Sequence, residues 1–123
     1  MQREQVATPT QKSIEEVSLF LKTDPRQCIK TLVIQGRDSL VLLCVRGDHE
    51  VNETKVAKLP ELTGEMLLAN EAIIQKVIGC EPGFIGPVNL PKDLPLIVDR
   101  AAWALADFVC GANRNGQHFK GVN

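Results

Sequence analysis

The chain of 123 residues contains few aromatic side chains: four Phe, one Trp and no Tyr. Single-stranded nucleic acid is often held on aromatic side chains that stack with the bases, so a stacking platform is not expected. The formal net charge is −1, whereas proteins that wrap duplex nucleic acid usually carry a basic excess. DNA is therefore not an expected partner, and any contact with RNA should be local, such as one strand end.

Closely spaced cysteine pairs are also absent. Cys28, Cys44, Cys80 and Cys110 are far apart, and no CxxC occurs. Because a metal site is built from ligands at short, paired spacing, we expect no metal and no cofactor. Three of the four cysteines stand beside Val, Ile or Leu, which predicts small buried apolar residues in a reducing compartment.

Long apolar runs are missing as well. No run is long enough to cross a bilayer, and the first five residues are polar with no apolar signal-peptide region after them. These features predict a cytoplasmic protein without a membrane partner. The length, with 44% apolar and 24% charged residues, is typical of one folded domain. We assign residues 1–12 to a polar lead-in, because Pro9 and nearby Thr residues disfavour regular structure, and residues 13–123 to the domain.

The first half of the domain contains a helix and a hairpin signal. Ser13 and Glu16 fit a capping box, and apolar residues follow at helical spacing until Asp24-Pro25 ends the helix or opens a turn. Residues 31–35 and 40–45 then predict two strands joined by a four-residue turn. The second strand is apolar throughout, which is typical of a central strand covered on both faces.

The second half alternates short elements with turns. Asn52 can cap a helix that carries Val56 and Leu59, and Asn70 can cap another that ends at Gly79. The remaining predictions are a Gly- and Pro-rich loop at 82–87, a linker at 89–94, a buried strand at 96–98, a brief helix or turn at 101–107, a strand at 108–110 and turns at 111–113 and 115–116. This mixture predicts an α+β fold with a mixed, largely antiparallel central β-sheet flanked by helices.

Six segments, in order, resemble the editing (insertion) domain of bacterial-type prolyl-tRNA synthetases. They are IKTLV (29–33), VRGDHEVNE (45–53), GFIGPV (83–88), IVDR (97–100), FVCGAN (108–113), and His118 with GVN (121–123). That family is related to free-standing aminoacyl-tRNA deacylases of the YbaK type, and the resemblance implies the same fold.

The resemblance implies hydrolysis of alanine from mischarged tRNA(Pro), in cis within a synthetase. The implied partners are the 3′ acceptor end of the tRNA carrying alanine and the remainder of the host synthetase. ATP binding and proline activation would belong to that remainder. Two alternatives stay open: a free-standing trans-editing deacylase, and a non-catalytic module that binds the acceptor end. An editing site is needed because a site built for proline cannot strongly exclude the smaller alanine; each methylene contributes only about 1–3 kcal/mol.

The implied chemistry uses no protein nucleophile, and the sequence has no Ser-His-Asp order, nucleophile elbow or HExxH. A neighbouring ribose hydroxyl of the substrate can instead help to orient water. The resemblance assigns catalytic roles to Lys30, Gly83, Gly86 and Pro87, and substrate-binding roles to His118, Asp99, Ile85, Thr31 and Gly111.

Each assignment has an alternative without a functional role. Lys30 would anchor a phosphate, or is a solvated lysine at a strand start. The loop 83–87 would offer backbone N–H groups to an oxyanion, or is a tight turn. His118 would line the alanine pocket, or is structural. Asp99 would bind the α-ammonium group, or pair with Arg100. For the Asp48-His49 pair, we favour a loop that caps the next helix.

Overall fold

A computed structural model describes residues 3–37, 39–62, 64–87 and 94–122. Most of the linker predicted at 89–94 lies outside these ranges. The elements are β1 (Glu4–Ala7), α1 (Ile14–Phe20), β2 (Ile29–Gln35), β3 (Leu40–Arg46), α2 (Glu53–Ala57), α3 (Glu71–Val77), β4 (Leu96–Val98), α4 (Arg100–Trp103), β5 (Phe108–Gly111) and β6 (Gln117–Val122), with a 3-10 turn at Pro25–Gln27. The predicted α+β class is confirmed.

The strands form two three-stranded sheets. One has the order β1-β6-β5 and is antiparallel; the other has the order β2-β3-β4, with an antiparallel β2–β3 pair and a parallel β3–β4 pair. An isolated bridge between Cys28 and Val109 joins them. The mixed, largely antiparallel character and the central place of β3 are as predicted, but the strands are divided between two joined sheets.

Local caps begin the helices where the sequence predicts. The Ser13 hydroxyl accepts a hydrogen bond from the Glu16 N–H (3.1 Å), and the Ser13 N–H donates to the Glu16 carboxylate (3.2 Å). Asn52 and Asn70 cap α2 and α3. Because α2 ends at Ala57, Leu59 lies beyond the helix on which we predicted it.

Three strands differ from the sequence prediction. The lead-in is not irregular throughout, because β1 lies within it and pairs with β6. Neither of these two strands was predicted from the sequence. The residues of β1 are mostly exposed, so no apolar alternation signals the strand. Strand β4 was predicted to be buried, but it lies at a sheet edge and leaves Leu96 39% exposed.

The β2-β3-β4 sheet is covered on both faces. On the first face Ile34, Val41, Leu43 and Val45 form a buried cluster with Leu62. The second face packs against α3 and the loop 82–87. All four cysteines of the chain are buried and form no disulfide. None of the helices in the described ranges has the length and apolar content that crossing a bilayer requires.

Candidate active site

A cavity of about 300 Å³ lies beside β2, at the edge that does not pair with β3. Three segments of the chain wall it together with β2, and its lining is Lys12, Ser13, Ile14, Lys30, Thr31, Leu32, Val33, Leu68, Ala69, Ile74, Pro82, Gly83 and Ile85. Four residues singled out from the sequence therefore meet here: Lys30, Thr31, Gly83 and Ile85. The first two and the last two of these residues lie in parts of the chain more than 50 residues apart. The cavity that brings them together is the candidate active site.

The backbone of Thr31 faces this cavity. Farther along the same edge, the Val33 carbonyl accepts a hydrogen bond from the Ala69 N–H (2.9 Å) and the Gln35 N–H donates to the Leu67 carbonyl (2.8 Å). Successive residues of a strand direct their N–H and C=O groups to alternate edges. The N–H and C=O of Thr31 thus project from the same edge as those of Val33, and they offer a donor and an acceptor to a bound molecule.

Lys30 lies at the border of the cavity. It stands opposite Val45 in the antiparallel register, and directly opposed residues project their side chains from the same face. The Lys30 side chain therefore leaves the sheet on the α2 side. Among the described residues, no hydrogen bond or ion pair involves it, which leaves its ammonium group available to an anion.

The loop 82–87 forms the wall opposite β2. Gly83 has a φ of +97°, and a Cβ there would lie 2.8 Å from the Lys12 carbonyl oxygen, so only glycine fits against this segment. A Cβ on Gly86 would lie 2.0 Å from the carbonyl oxygen of Gly111. Gly86 and Gly111, both predicted as site residues, therefore allow the backbone of the loop to pack directly on the backbone of β5 behind the cavity.

His118 supports this loop from behind and lies outside the cavity lining. Its side chain is buried, and its Nε2 lies 3.0 Å from the Gly83 carbonyl oxygen. Since a carbonyl oxygen only accepts, Nε2 carries the hydrogen, and Nδ1 accepts from the Thr8 hydroxyl at 2.5 Å. Burial lowers the pKa of His118 to about 4, so the ring is neutral near pH 7.

Pro87 and Asp99 lie elsewhere. Pro87 lines an apolar cavity of about 330 Å³ that also contains Leu96 and Trp103. The Asp99 carboxylate accepts from the Ala101 N–H (3.1 Å) and so caps α4. It also lines a third cavity, together with residues of α2 and the preceding loop. Neither residue is among those that line the candidate active site.

The loop between β3 and α2 is held by its own ion pair. Arg46 donates two hydrogen bonds to the Asp48 carboxylate, at 2.6 and 2.9 Å, and the Arg46 guanidinium lowers the Asp48 pKa. Asn52 caps α2 as predicted, and the Arg46–Asp48 pair lies in the loop that leads to this cap.

The cysteine thiols are poorly suited to nucleophilic attack. Burial raises the pKa values of Cys28, Cys44 and Cys80 to about 11, and that of Cys110 to about 12. The reactive form of cysteine is the thiolate, which is scarce at neutral pH with such values. In the described part of the chain, no three His, Cys, Asp or Glu side chains form a group that could hold a metal ion.

Three residues that line the cavity or support its wall were not predicted from the sequence. Lys12 was placed in the lead-in, yet it lines the cavity and forms an ion pair with Glu81. Thr8, also placed there, holds His118. Asn113 belongs to the FVCGAN segment but received no role; its side chain binds the backbone of the loop 82–87. For Asn113 alone, membership of a recognised motif was a usable signal.

The fold places the chain in a class of α+β domains with solved members. A solved structure described as a candidate trans-editing enzyme for prolyl tRNA synthetase superposes with a TM-score of 0.77 at 18% identity, over 98% of this chain and 76% of that chain. This likeness concerns the fold. Residues 8–123 match the aminoacyl-tRNA editing domain family, and the chain belongs to that family.

Curated relatives have higher sequence identity to this chain than that solved structure has. A proline--tRNA ligase from Xanthomonas axonopodis pv. citri is 48% identical over 120 residues, and one from Bacillus cytotoxicus is 43% identical over the same length. These alignments include 98% of this chain and 21% of each ligase. The chain thus spans about one fifth of the length of these relatives and corresponds to their editing domain.

Proposed function

We propose that this domain hydrolyses alanine from mischarged tRNA(Pro), as the cis-editing part of a cytoplasmic prolyl-tRNA synthetase. The observation that carries the proposal is the cavity at the edge of β2, where Lys30, Thr31, Gly83 and Ile85 meet. Membership of the aminoacyl-tRNA editing domain family and the similarity to proline--tRNA ligases support it.

The reaction is hydrolysis of the ester between alanine and the terminal ribose. Water adds to the carbonyl carbon, and the bond from this carbon to the ribose oxygen then breaks. The ribose oxygen keeps the electron pair and takes up the proton that the water gives up. A neighbouring ribose hydroxyl orients the water, so no thiolate or neutral histidine is required of the protein.

The protein supplies charge, backbone dipoles and shape. The Lys30 ammonium, without an ion-pair partner among the described residues, binds a phosphate of the acceptor end as a compact charge. The Thr31 N–H donates to the ester carbonyl oxygen, where negative charge develops as water adds. Ile85 and the neighbouring apolar residues surround the alanine methyl group and leave too little room for the proline ring.

The cis role is favoured over a free-standing one by the identity to ligases, which exceeds 40%, against 18% to the trans-editing candidate. A cis domain would act beside the rest of the host synthetase, which would hold the body of the tRNA. The cavity, and the absence of an ion-pair partner for Lys30 among the described residues, favour hydrolysis over the non-catalytic binding module.

The test is hydrolysis of alanyl-tRNA(Pro) and prolyl-tRNA(Pro), measured in parallel with the purified domain and with the host synthetase. Release of alanine with little release of proline is the expected result. Binding of both RNAs without hydrolysis, in the domain and in the host, would favour the non-catalytic module. Equal release of alanine and proline would refute editing, because such an enzyme would destroy the product of its host.

A further inference from the structure

Asn113 holds the loop 82–87 at the point where this loop forms the cavity wall. It follows β5, its side chain is buried, and its φ of +59° lies in the left-handed region. Asparagine adopts this conformation more readily than most residues other than glycine. The conformation lets one residue present both its main chain and its side chain to the loop.

Hydrogen bonds from both the side chain and the main chain join Asn113 to the loop. The side-chain Oδ1 accepts from the Gly86 N–H at 3.0 Å, and Nδ2 donates to the Gly86 carbonyl at 3.0 Å. The Asn113 N–H donates to the Phe84 carbonyl at 2.7 Å. Ile85 is thus held on both sides, by the carbonyl before it and by both polar groups of the residue after it.

The held residue, Ile85, also lines the cavity. Ile85 is only 3% exposed and packs with Ile74 and Phe84, and it contributes to the cavity wall opposite β2. Neither Asn113 nor Gly86 is part of that wall. We therefore expect a change at Asn113 to affect a bound molecule by moving the peptide that carries Ile85.

We propose that Asn113 is a specificity-determining positioning residue, which fixes the depth at which Ile85 closes the cavity. The inference rests on the proposed function. With the clasp intact, the wall admits a methyl side chain and excludes the proline ring. Without it, the 85–86 peptide moves outward and the ring is admitted. Asn113 itself touches no substrate.

Two variants of Asn113 test this role, so that the test does not depend on one variant folding correctly. Asn113→Gly keeps the left-handed backbone and removes the side-chain clasp. Asn113→Asp keeps the shape and the acceptor for the Gly86 N–H, but sets a carboxylate oxygen against the Gly86 carbonyl. Asn115→Gly is the matched control: the Asn115 side chain accepts from the Glu81 N–H at 2.7 Å, which holds the same loop four residues before Ile85.

The measurement is kcat/KM for alanyl-tRNA(Pro) and prolyl-tRNA(Pro), with Tm for each protein. In both Asn113 variants we expect the proline-to-alanine ratio to rise by about tenfold or more, the effect of a methylene or two in a pocket. Asn115→Gly should lower Tm while the ratio stays at the wild-type value. If the Asn113 variants lose stability but keep the ratio, the residue is only structural and the inference is wrong.

A second measurement separates failure of this inference from failure of the proposed function. Amide hydrogen exchange of Gly86, followed by NMR, should be slow in the wild type and fast in Asn113→Gly. Fast exchange in the wild type would overturn the clasp itself. If the wild type hydrolyses neither RNA while its Gly86 amide is protected, the proposed function fails, and with it the specificity role.

Discussion

Lys30 and His118 are both basic, but their surroundings give them different chemistry. Lys30 is half-buried at the border of the cavity and has no ion-pair partner among the described residues. His118 is buried with both ring nitrogens engaged, by Thr8 and by the Gly83 carbonyl. A charged group that is held for a ligand should affect binding and turnover, whereas a buried neutral ring should affect the loop that it supports.

Replacing Lys30 with Ala should reduce deacylation by about 10- to 100-fold, the loss of one charge-assisted hydrogen bond of about 1.5–3 kcal/mol. Tm should change little, because no intramolecular partner is lost within the described ranges. The measurement is kcat/KM on alanyl-tRNA(Pro), with Lys58→Ala, an exposed lysine on α2's end, as the control. Wild-type turnover by a folded Lys30→Ala protein would refute the assignment.

His118 should make stability depend on pH. Its pKa is about 4 in the fold because burial penalises the charged ring, against 6.5 when unperturbed. The unfolded chain therefore binds a proton between these values that the folded chain excludes. The stabilisation is complete above pH 6.5 and declines as pH falls toward 4, by on the order of 3 kcal/mol.

Urea denaturation of wild type and His118→Gln at several pH values checks this effect. Carboxylates are common to both proteins, so the difference between the two curves isolates the histidine. That difference should shrink as pH falls from 6.5 to 4. Parallel curves over this range would show that His118 does not titrate as described.

His118→Ala should weaken discrimination against prolyl-tRNA(Pro), because the loop at Gly83 loses its support. Parallel hydrolysis of alanyl-tRNA(Pro) and prolyl-tRNA(Pro) by the wild type and the variant measures this discrimination.

At the scale of elements, the cavity depends on contacts between loops and strand ends. The loop 82–87 packs its backbone directly on Gly111, beside the start of the β5–β6 turn. Neither Gly86 nor Gly111 has a positive φ, so space and not backbone conformation requires glycine there. This packing explains a Gly-rich motif without assigning a ligand to either residue.

Gly86→Ala should displace the loop and remove most deacylation, since the new methyl group meets the Gly111 carbonyl. Overpacking of this kind costs about 1–3 kcal/mol. Gly64→Ala is the contrast: φ there is +97°, but no heavy atom lies within 4 Å of a new Cβ. It should cost about 1–2 kcal/mol of left-handed strain and leave activity unchanged. Equal activity of the two variants in a deacylation assay would contradict the packing argument.

For the molecule as a whole, the expected chemistry depends on no metal. The cysteines are widely spaced and buried, and among the described residues no cysteine, histidine or carboxylate lines the cavity. Treatment with EDTA followed by gel filtration should therefore leave the rate of alanine release at its starting value. Loss of the rate, with recovery on addition of zinc, would overturn this expectation.

Local signals were sufficient for much of the fold. The Ser13–Glu16 capping box, the Asn52 and Asn70 caps and the hairpin at 36–39 were predicted because each depends on residues a few positions apart. β1 was missed because an exposed, polar edge strand has no apolar alternation. Strand β6 follows two turns and was read only as their continuation.

The sequence by itself determined the α+β class, the helix caps and the central place of β3, and its motifs supplied the candidate site residues. Only the tertiary structure decided which motif residues share a site. It separated Asp99 and Pro87 from Lys30, placed His118 behind the loop and revealed the Asn113 clasp. The physical reason is distance along the chain: the bonds from His118 to Thr8 and to Gly83 span 110 and 35 positions, and the clasp spans 27. Burial and protonation arise from such contacts, which local periodicity does not encode.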